Sequence, residues 1–284
     1  MKRPLLALVA ALWASGLNAG VLDILTDTRL GDKRRVALEE AVKDAERWLE
    51  NQTGRKIEGE FVVLGGDRRS LSQVLDVGFK RLNKPRPPVP DIANLICNGR
   101  QPNALANPDF ILVCWPLASG PENPRALRAL MVHELFHHMQ YDLSRSRQDR
   151  PGPRQRRLGP AWMVEGTAEV LEMLYVLGTL PDEGRNLFAL QNPARRSRLT
   201  LDELSNPGTV TGFYGYGTSR FAASLLVRAH GLEKTMQYFR WLGRGLSQEV
   251  AFAQTFGQSM SAFEEEFELL RRDYGAARDW QPKK

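Results

Sequence analysis

Three of the four histidines of this chain lie in one short stretch, VHELFHHMQ, at residues 132–140. His133 and His137 are four residues apart, and Glu134 directly follows the first of them. On a helix, residues at this spacing lie on one face, so both imidazoles can bind a single metal ion. Glu134 lies about 100° around such a helix, close enough to face a water molecule at that metal. The chemistry that this spacing predicts is water activation at a Zn²⁺ ion.

A catalytic zinc ion usually has three protein ligands and one open position, so a third ligand is needed. His138 points about 100° away from His137 around the helix, and it therefore cannot share the site. His230 ends another predicted helix, where a histidine commonly interacts with the helix dipole. The remaining candidates for the third ligand are carboxylates.

The segment AWMVEGTAEVLE, residues 161–172, carries the strongest carboxylate candidates. Glu165 lies 28 residues after His137 on the next predicted helix, and Gly166 removes a side chain where two helices must approach closely. Glu169 shares the helix face of Glu165 and can accept a hydrogen bond from a ligand imidazole. The alternative for both glutamates is an ordinary solvated helix surface.

The combination of HELFH and WMVEGTAE resembles the gluzincins, zinc metallopeptidases whose third ligand is a glutamate on a following helix. The pattern W-x-x-E-G-x-A-E is similar to that helix in bacterial collagenases, aminopeptidase N-like enzymes and bacterial peptidase MA-like proteins. The resemblance covers residues 123–243. It implies His133, His137 and Glu165 as zinc ligands and Glu134 as the general base.

The segment FYGYGTSRFAASLLVRAHG, from residue 213, is similar to the tyrosine-containing helix that follows in these families. There a tyrosine donates a hydrogen bond to the developing oxyanion. By its spacing to Gly217, Tyr214 is the closer match for this role, and Tyr216 is the alternative. Simple aromatic packing at the start of a helix is the structural explanation that competes with both.

The chain also departs from named subfamilies. It lacks the upstream Gly-x-Met-x-Asn stretch with which the aminopeptidase N group anchors a substrate amine, and this favours endopeptidase over exopeptidase activity. Leu143 stands where metzincins place a further histidine. The competing function is a non-catalytic, exported binding or scaffold protein that retains a zincin fold.

The N-terminus, MKRPLLALVAALWASGLNAG, has the pattern of an export signal. Basic residues precede an apolar run from Leu5 to Leu17, which is too short to span a membrane. We expect cleavage after Ala19, with a site near Gly16 as the alternative, because Leu17 is unfavourable three residues before the cut. An uncleaved anchor is the other alternative. The mature chain is expected to be periplasmic or secreted and to have no membrane span.

Export changes the interpretation of the only two cysteines, Cys97 and Cys114. In an oxidising compartment such a pair predicts a disulfide. Each residue ends an apolar run, so the bridge is expected to join neighbouring strands. Two buried free thiols are the alternative.

Composition narrows the class of protein and of partner. With 42% hydrophobic and 25% charged residues, the chain is an ordinary globular protein. The resemblance to zinc metallopeptidases implies peptides or proteins as substrates. The arginine-rich segment 145–160 indicates acidic or cell-envelope substrates, or else it is a solvated loop. Nucleic acid is not expected as a partner, because that segment has no aromatic residues.

The elements that position the site predict an α+β, zincin-like fold. After a signal at 1–19, the part 20–122 is expected to hold a small sheet with helices, and the part 123–284 to be mostly helical and to carry the zinc site. The predicted strands are 57–66, Ile92–Cys97 and Phe110–Trp115. The last of these is expected to be an exposed edge strand that pairs with an extended substrate.

Helices are predicted from hydrophobic periodicity and from Gly, Pro and Asn boundary residues. Their predicted ranges are 33–53, 71–82, 124–145, 162–177, 214–230, 232–242, 246–256 and 260–274. Residues 183–211 are expected to be irregular, with short helices at most.

Overall fold

The computed structural model describes residues 20–85, 96–97, 101–116, 123–146, 158–180 and 184–281. The predicted signal at 1–19 and most of the arginine-rich segment lie outside these ranges. The chain forms two compact units, Met1–His138 and Met139–Lys284. The division therefore falls inside a helix, whereas the predicted parts were 20–122 and 123–284. The fold is α+β, as predicted.

The first unit is built on one four-stranded sheet. Its strands are β1 (Val21–Thr26), β2 (Phe61–Asp67), β3 (Asn103–Asn107) and β4 (Phe110–Trp115). Their order is β1-β2-β4-β3, in which β3 alone runs antiparallel to its neighbour. Every residue of β2 and β4 is buried, as is typical of inner strands that are covered on both faces.

The prediction that Phe110–Trp115 is an edge strand is wrong. This strand, β4, pairs with β2 on one side and with β3 on the other. The edge is β3, which was not predicted because its sequence, NALAN, consists mainly of residues that are rare in strands. Pairing with β4 outweighs this weak local preference.

The disulfide joins β4 to a segment that precedes β3. Cys97 and Cys114 are bonded, with Cα atoms 5.5 Å apart. Most of the predicted strand Ile92–Cys97 lies outside the described residues, and its described end is not a strand, since Ile96 is helical. The bridge was expected to join two neighbouring strands, but of its two cysteines only Cys114 lies in a strand.

Two helices of the first unit match their predicted positions, α1 (Gly31–Thr53) and α2 (Leu71–Arg81). The N–H of Gly54 bonds to the carbonyl of Glu50, and its φ of 65° is the left-handed conformation that ends helices at glycine. The buried face of α1 is almost entirely apolar: Leu38, Ala41, Val42, Ala45, Leu49 and Thr53.

The remaining helices begin with α3, which contains the division between the two units. They are α3 (Pro124–Leu143), α4 (Ala161–Leu177), α5 (Gly184–Arg196), α6 (Gly212–His230), α7 (Leu232–Gly243), α8 (Gln248–Phe256), α9 (Met260–Leu270) and α10 (Tyr274–Asp279). None of the described helices is long and apolar enough to cross a membrane.

The prediction of irregular structure for 183–211 is wrong over α5. This helix contains Pro193, which normally argues against a helix interior. Pro193 stands near the C-terminal end of α5, and its ring occupies the place that a side chain at Gly217 of α6 would fill. Packing between the two helices therefore outweighs the local proline signal.

The core of the second unit is strongly aromatic. The ring of Trp162 on α4 packs against Phe263 and Phe252, with centroids 5.9 Å and 6.3 Å away. All three side chains are fully buried. This cluster fixes the N-terminal end of α4, the helix that carries Glu165.

Candidate metal centre

Helix α3 begins where its capping residues predict. The side chain of Asn123 accepts hydrogen bonds from the backbone N–H groups of Arg125, at 3.1 Å, and Ala126, at 3.4 Å. Pro124 follows as the first helical residue. An N–H group at this position has no hydrogen-bond partner within the helix, so proline, which lacks the N–H, is well tolerated there. The start of α3 therefore sets which face each later residue occupies.

His133 and His137 face the same side of α3, as their spacing predicts. Their ring centroids lie 4.8 Å apart, and each residue is only 7% exposed. Glu134, between them in sequence, is 4% exposed. Burial of two imidazoles and a carboxylate on one helix is costly unless each is paired or binds a metal.

Gln140 holds the last turn of α3 against α4. Its Nε2 donates hydrogen bonds to the carbonyl of Val164, at 2.9 Å, and to Oγ1 of Thr167, at 2.8 Å. These acceptors flank Glu165 in the sequence, so the amide fixes the local position of α3 beside α4. Gln140 was not predicted as a site residue; its place three residues after His137, where helix neighbours lie close together, was the available signal.

Gly166 allows α4 and α6 to approach closely, as predicted. A Cβ atom at this position would overlap the carbonyl oxygen of Ser219 and touch the side chain of Ala223. The glycine beside Glu165 therefore serves helix packing, and the glutamate keeps its orientation as a result.

The predicted ligands come together. One ligand atom from each of His133, His137 and Glu165 lies within 4.8 Å of the others. Zinc–nitrogen and zinc–oxygen bonds are about 2.0–2.2 Å long, so three atoms at such separations can surround one ion after small side-chain rotations. The donor set, two imidazoles and one carboxylate, is that of a catalytic zinc site with an open position. These residues therefore fit a zinc ion.

Glu169 lies on the α4 face of Glu165, as predicted, and has a partner that was not predicted. Its Oε2 accepts a hydrogen bond from the guanidinium of Arg220 on α6, at 3.1 Å. Glu169 also belongs to a second group of potential metal ligands, with His133 and Glu172. Glu169 therefore lies close enough to His133 to accept a hydrogen bond from its imidazole, as a residue that orients a metal ligand would. That role stays a prediction.

The two tyrosines at the start of α6 differ in direction. Ser219 and Arg220 contact α4, so they mark the side of α6 that faces it. Tyr216, three residues before Ser219, shares this side and is half-buried. Tyr214 lies on the opposite side, is 45% exposed and packs edge-on against Phe213. The helix geometry therefore favours Tyr216, which the sequence left as the alternative.

The other two histidines serve packing. His138 is fully buried and stacks on Phe61 of β2, with centroids 3.6 Å apart. His230, the last residue of α6, packs edge-on against Phe256 at 5.1 Å. Burial, with a smaller effect of Lys234, lowers the pKa of His230, which keeps the ring neutral.

A cavity of about 520 Å³ lies in the second unit beside the glutamates of α4. Its polar walls include Glu169, Glu172 and Arg220, and the Nε–H of Arg220 is buried without a hydrogen-bond partner among the described residues. The other walls are largely apolar and come from α4, α5 and the residues between them: Met173, Val176, Leu177, Leu180, Ala189 and Leu190. The cavity therefore combines largely apolar walls with two carboxylates and one guanidinium group.

No family model, no curated protein and no solved structure matches this chain. Any functional conclusion must therefore come from the residues and their geometry.

Proposed function

We propose that this protein is an exported, zinc-dependent metallopeptidase of the gluzincin type, and an endopeptidase rather than an exopeptidase. The observation that carries the proposal is the group His133, His137 and Glu165, whose ligand atoms lie within 4.8 Å of one another. Two histidines at this spacing with a glutamate between them are the ligand pattern of zinc peptidases. An apolar core alone would not place these three side chains together.

A zinc ion held by His133, His137 and Glu165 would supply Lewis-acid polarisation of the scissile carbonyl and would acidify a water molecule. Glu134 then takes the proton of the attacking water and returns it to the leaving amine, because a carboxylate can serve first as base and then as acid. Its nearly complete burial keeps bulk water from competing for that proton.

Tyr216 is the better candidate for stabilising the oxyanion by its position on α6, whereas the sequence pattern favours Tyr214. A phenol on the α4 side of α6 can donate a hydrogen bond to the carbonyl oxygen as negative charge develops there. Glu169 positions His133, and Arg220 in turn holds Glu169 by the hydrogen bond of 3.1 Å.

Strand β3 is suited to binding an extended peptide. It is the outer strand beside β4 in the sheet that the structure describes. A substrate that adds to this edge gains backbone hydrogen bonds without regard to its side chains. This mode of binding favours cleavage inside a chain, since it needs no terminal amine or carboxylate.

The cavity beside Glu169 is suited to an apolar substrate side chain. Two carboxylates and one guanidinium leave an excess of negative charge on its polar walls, which disfavours acidic side chains. Acidic or cell-envelope substrates would instead depend on the arginine-rich segment, of which residues 147–157 lie outside the described part of the chain.

Export is part of the proposal. The disulfide between Cys97 and Cys114 is compatible with an oxidising compartment, and the N-terminal sequence has the pattern of an export signal.

The test is hydrolysis of unfolded protein and peptide libraries by protein purified without chelators. We expect internal cleavage that a chelator abolishes and that added Zn²⁺ restores. A protein that binds one zinc ion per chain and cleaves no substrate would instead support the non-catalytic binding protein.

A further inference from the structure

The first described residue, Gly20, is held tightly at the start of β1. Its carbonyl accepts a hydrogen bond from the N–H of Phe61, at 3.0 Å. Its φ is 149°, and an added Cβ would lie 3.2 Å from the carbonyl oxygen of Ile57 and 3.5 Å from Oε1 of Glu46. The backbone of Gly20 is therefore buried next to the carboxylate of Glu46.

Glu46 belongs to α1, directly after the buried residue Ala45 of the apolar face. No hydrogen bond or ion pair of its carboxylate occurs within the described part of the chain, where its electrostatic neighbour is Glu50. Burial, followed by the negative charge of Glu50, raises the pKa of Glu46 to about 7. A carboxylate in this position is stabilised by any cation that reaches it.

We infer that removal of the export signal creates this cation: cleavage after Ala19 frees the α-amino group of Gly20, which pairs with the carboxylate of Glu46. A signal peptidase uses one water molecule to break the bond between Ala19 and Gly20. The carbonyl leaves as the carboxylate of Ala19, and the nitrogen of Gly20 becomes a protonated amine. The inference rests on the proposed export signal and does not depend on the metal centre or on peptidase activity.

The pair distinguishes the two predicted cleavage positions. Before cleavage the nitrogen of Gly20 is a neutral amide, so Glu46 gains no ion pair from it. Cleavage near Gly16 would place the ammonium group several residues before the buried position. Only a chain that begins at Gly20 has its terminal charge beside Glu46, so the mature protein is expected to be more stable than forms with longer N-termini.

The test compares two N-termini and two side chains. One protein begins at Gly20, the other carries Ala19 as one additional residue, and each is made with Glu46 and with Glu46→Gln. We expect E46Q to lower the Tm of the Gly20 form by about 2–4 °C and to leave the Ala19 form unchanged or slightly stabilised. N-terminal sequencing of the exported protein is expected to begin at Gly20.

The matched control is Glu39→Gln, which removes the same charge about two turns earlier on α1. Its effect on Tm should be the same in both N-terminal forms, because Glu39 forms an ion pair with Arg35 at 2.7 Å. Equal effects of E46Q in the two forms, or an exported chain that begins elsewhere than at Gly20, would overturn the inference.

Discussion

Helices α1 and α3 have similar lengths, 23 and 20 residues, and bury different chemistry. The buried face of α1 has one polar side chain, Thr53, whose hydroxyl donates a hydrogen bond to the carbonyl of Leu49 within the helix, at 2.7 Å, and the half-buried Glu46 lies beside that face. On α3 every residue from 131 to 140 is buried, including two imidazoles and a carboxylate on or beside one face. The buried face of α1 therefore serves mainly packing, whereas the face of α3 carries donor groups that a metal site would require.

The contrast extends to the neighbours of each helix. Around α3, Gln140 and Gly166 have defined structural roles, one as a hydrogen-bond anchor and the other as a point of close approach between helices. Around α1, the ion pairs are partly exposed, as with Arg35 and Glu39, whose side chains are 26% and 24% exposed. Substitutions on the two helices should therefore have different effects on activity and on zinc content.

The largest expected effect is that of Glu134→Gln. We expect a loss of peptide hydrolysis of about 10²–10⁴-fold, because the amide cannot accept the proton of water, while the fold and the zinc content are retained. Steady-state hydrolysis, circular dichroism and metal analysis measure these three quantities. Glu39→Gln on α1 is the control and should leave all of them unchanged. Full activity of E134Q would remove Glu134 as the general base.

The tyrosines of α6 give the next largest effect. Tyr216→Phe should lower kcat by about 10²–10³-fold with little change in KM, which is the usual result of removing one oxyanion donor. Tyr214→Phe, on the opposite side of the helix, should behave like the wild type. The reverse result would return the role to Tyr214 and would contradict the helix geometry.

Substitution of Gly166 tests the helix packing beside the site without changing a candidate ligand or catalytic residue. Gly166→Ala should destabilise the protein by about 1–3 kcal/mol, because the added methyl overlaps the carbonyl of Ser219. Gly208→Ala is the matched control, since a Cβ at that position meets nothing within 4 Å. Chemical denaturation measures both. Equal stability of the two variants would show that α4 and α6 are not in close contact at Gly166.

The smallest expected effect concerns substrate choice. Ala189 is exposed and lines the cavity beside Glu169, so Ala189→Trp should fill that space. We expect about a tenfold loss in kcat/KM for peptides with a large apolar residue next to the scissile bond, and less for peptides with alanine there. Gln254→Trp, exposed on α8 and away from the cavity, is the control. Unchanged selectivity in A189W would exclude this cavity as the binding pocket.

The sequence predicts which candidate ligands come together better than it predicts the sheet, for a physical reason. The four-residue spacing of His133 and His137 and the cap at Asn123 act within one helix, so they are visible in the local sequence. Strand β3 and helix α5 form against their local preferences, because pairing with β4 and packing against α6 stabilise them. Such contacts join distant parts of the chain and leave no local pattern.

Two residues that support the site, Gln140 and Arg220, were not predicted. Each acts through a hydrogen bond across helices, to α4 in both cases, and no spacing rule reveals such a partner. The choice between Tyr214 and Tyr216 was open for the same reason. Two residues along a helix reverse the face, and only the contacts of Ser219 and Arg220 show which face meets α4.

The most direct test of the central claim is the zinc content per chain after dialysis of four proteins. The wild type should hold one zinc ion, and His137→Ala and Glu165→Ala should lose it. Loss of a residue that only orients a metal ligand costs about 10–100-fold in metal affinity, and loss of a ligand itself costs more. Glu172→Ala should keep its zinc. Full zinc content in E165A together with its loss in E172A would contradict the account and assign the metal to His133, Glu169 and Glu172.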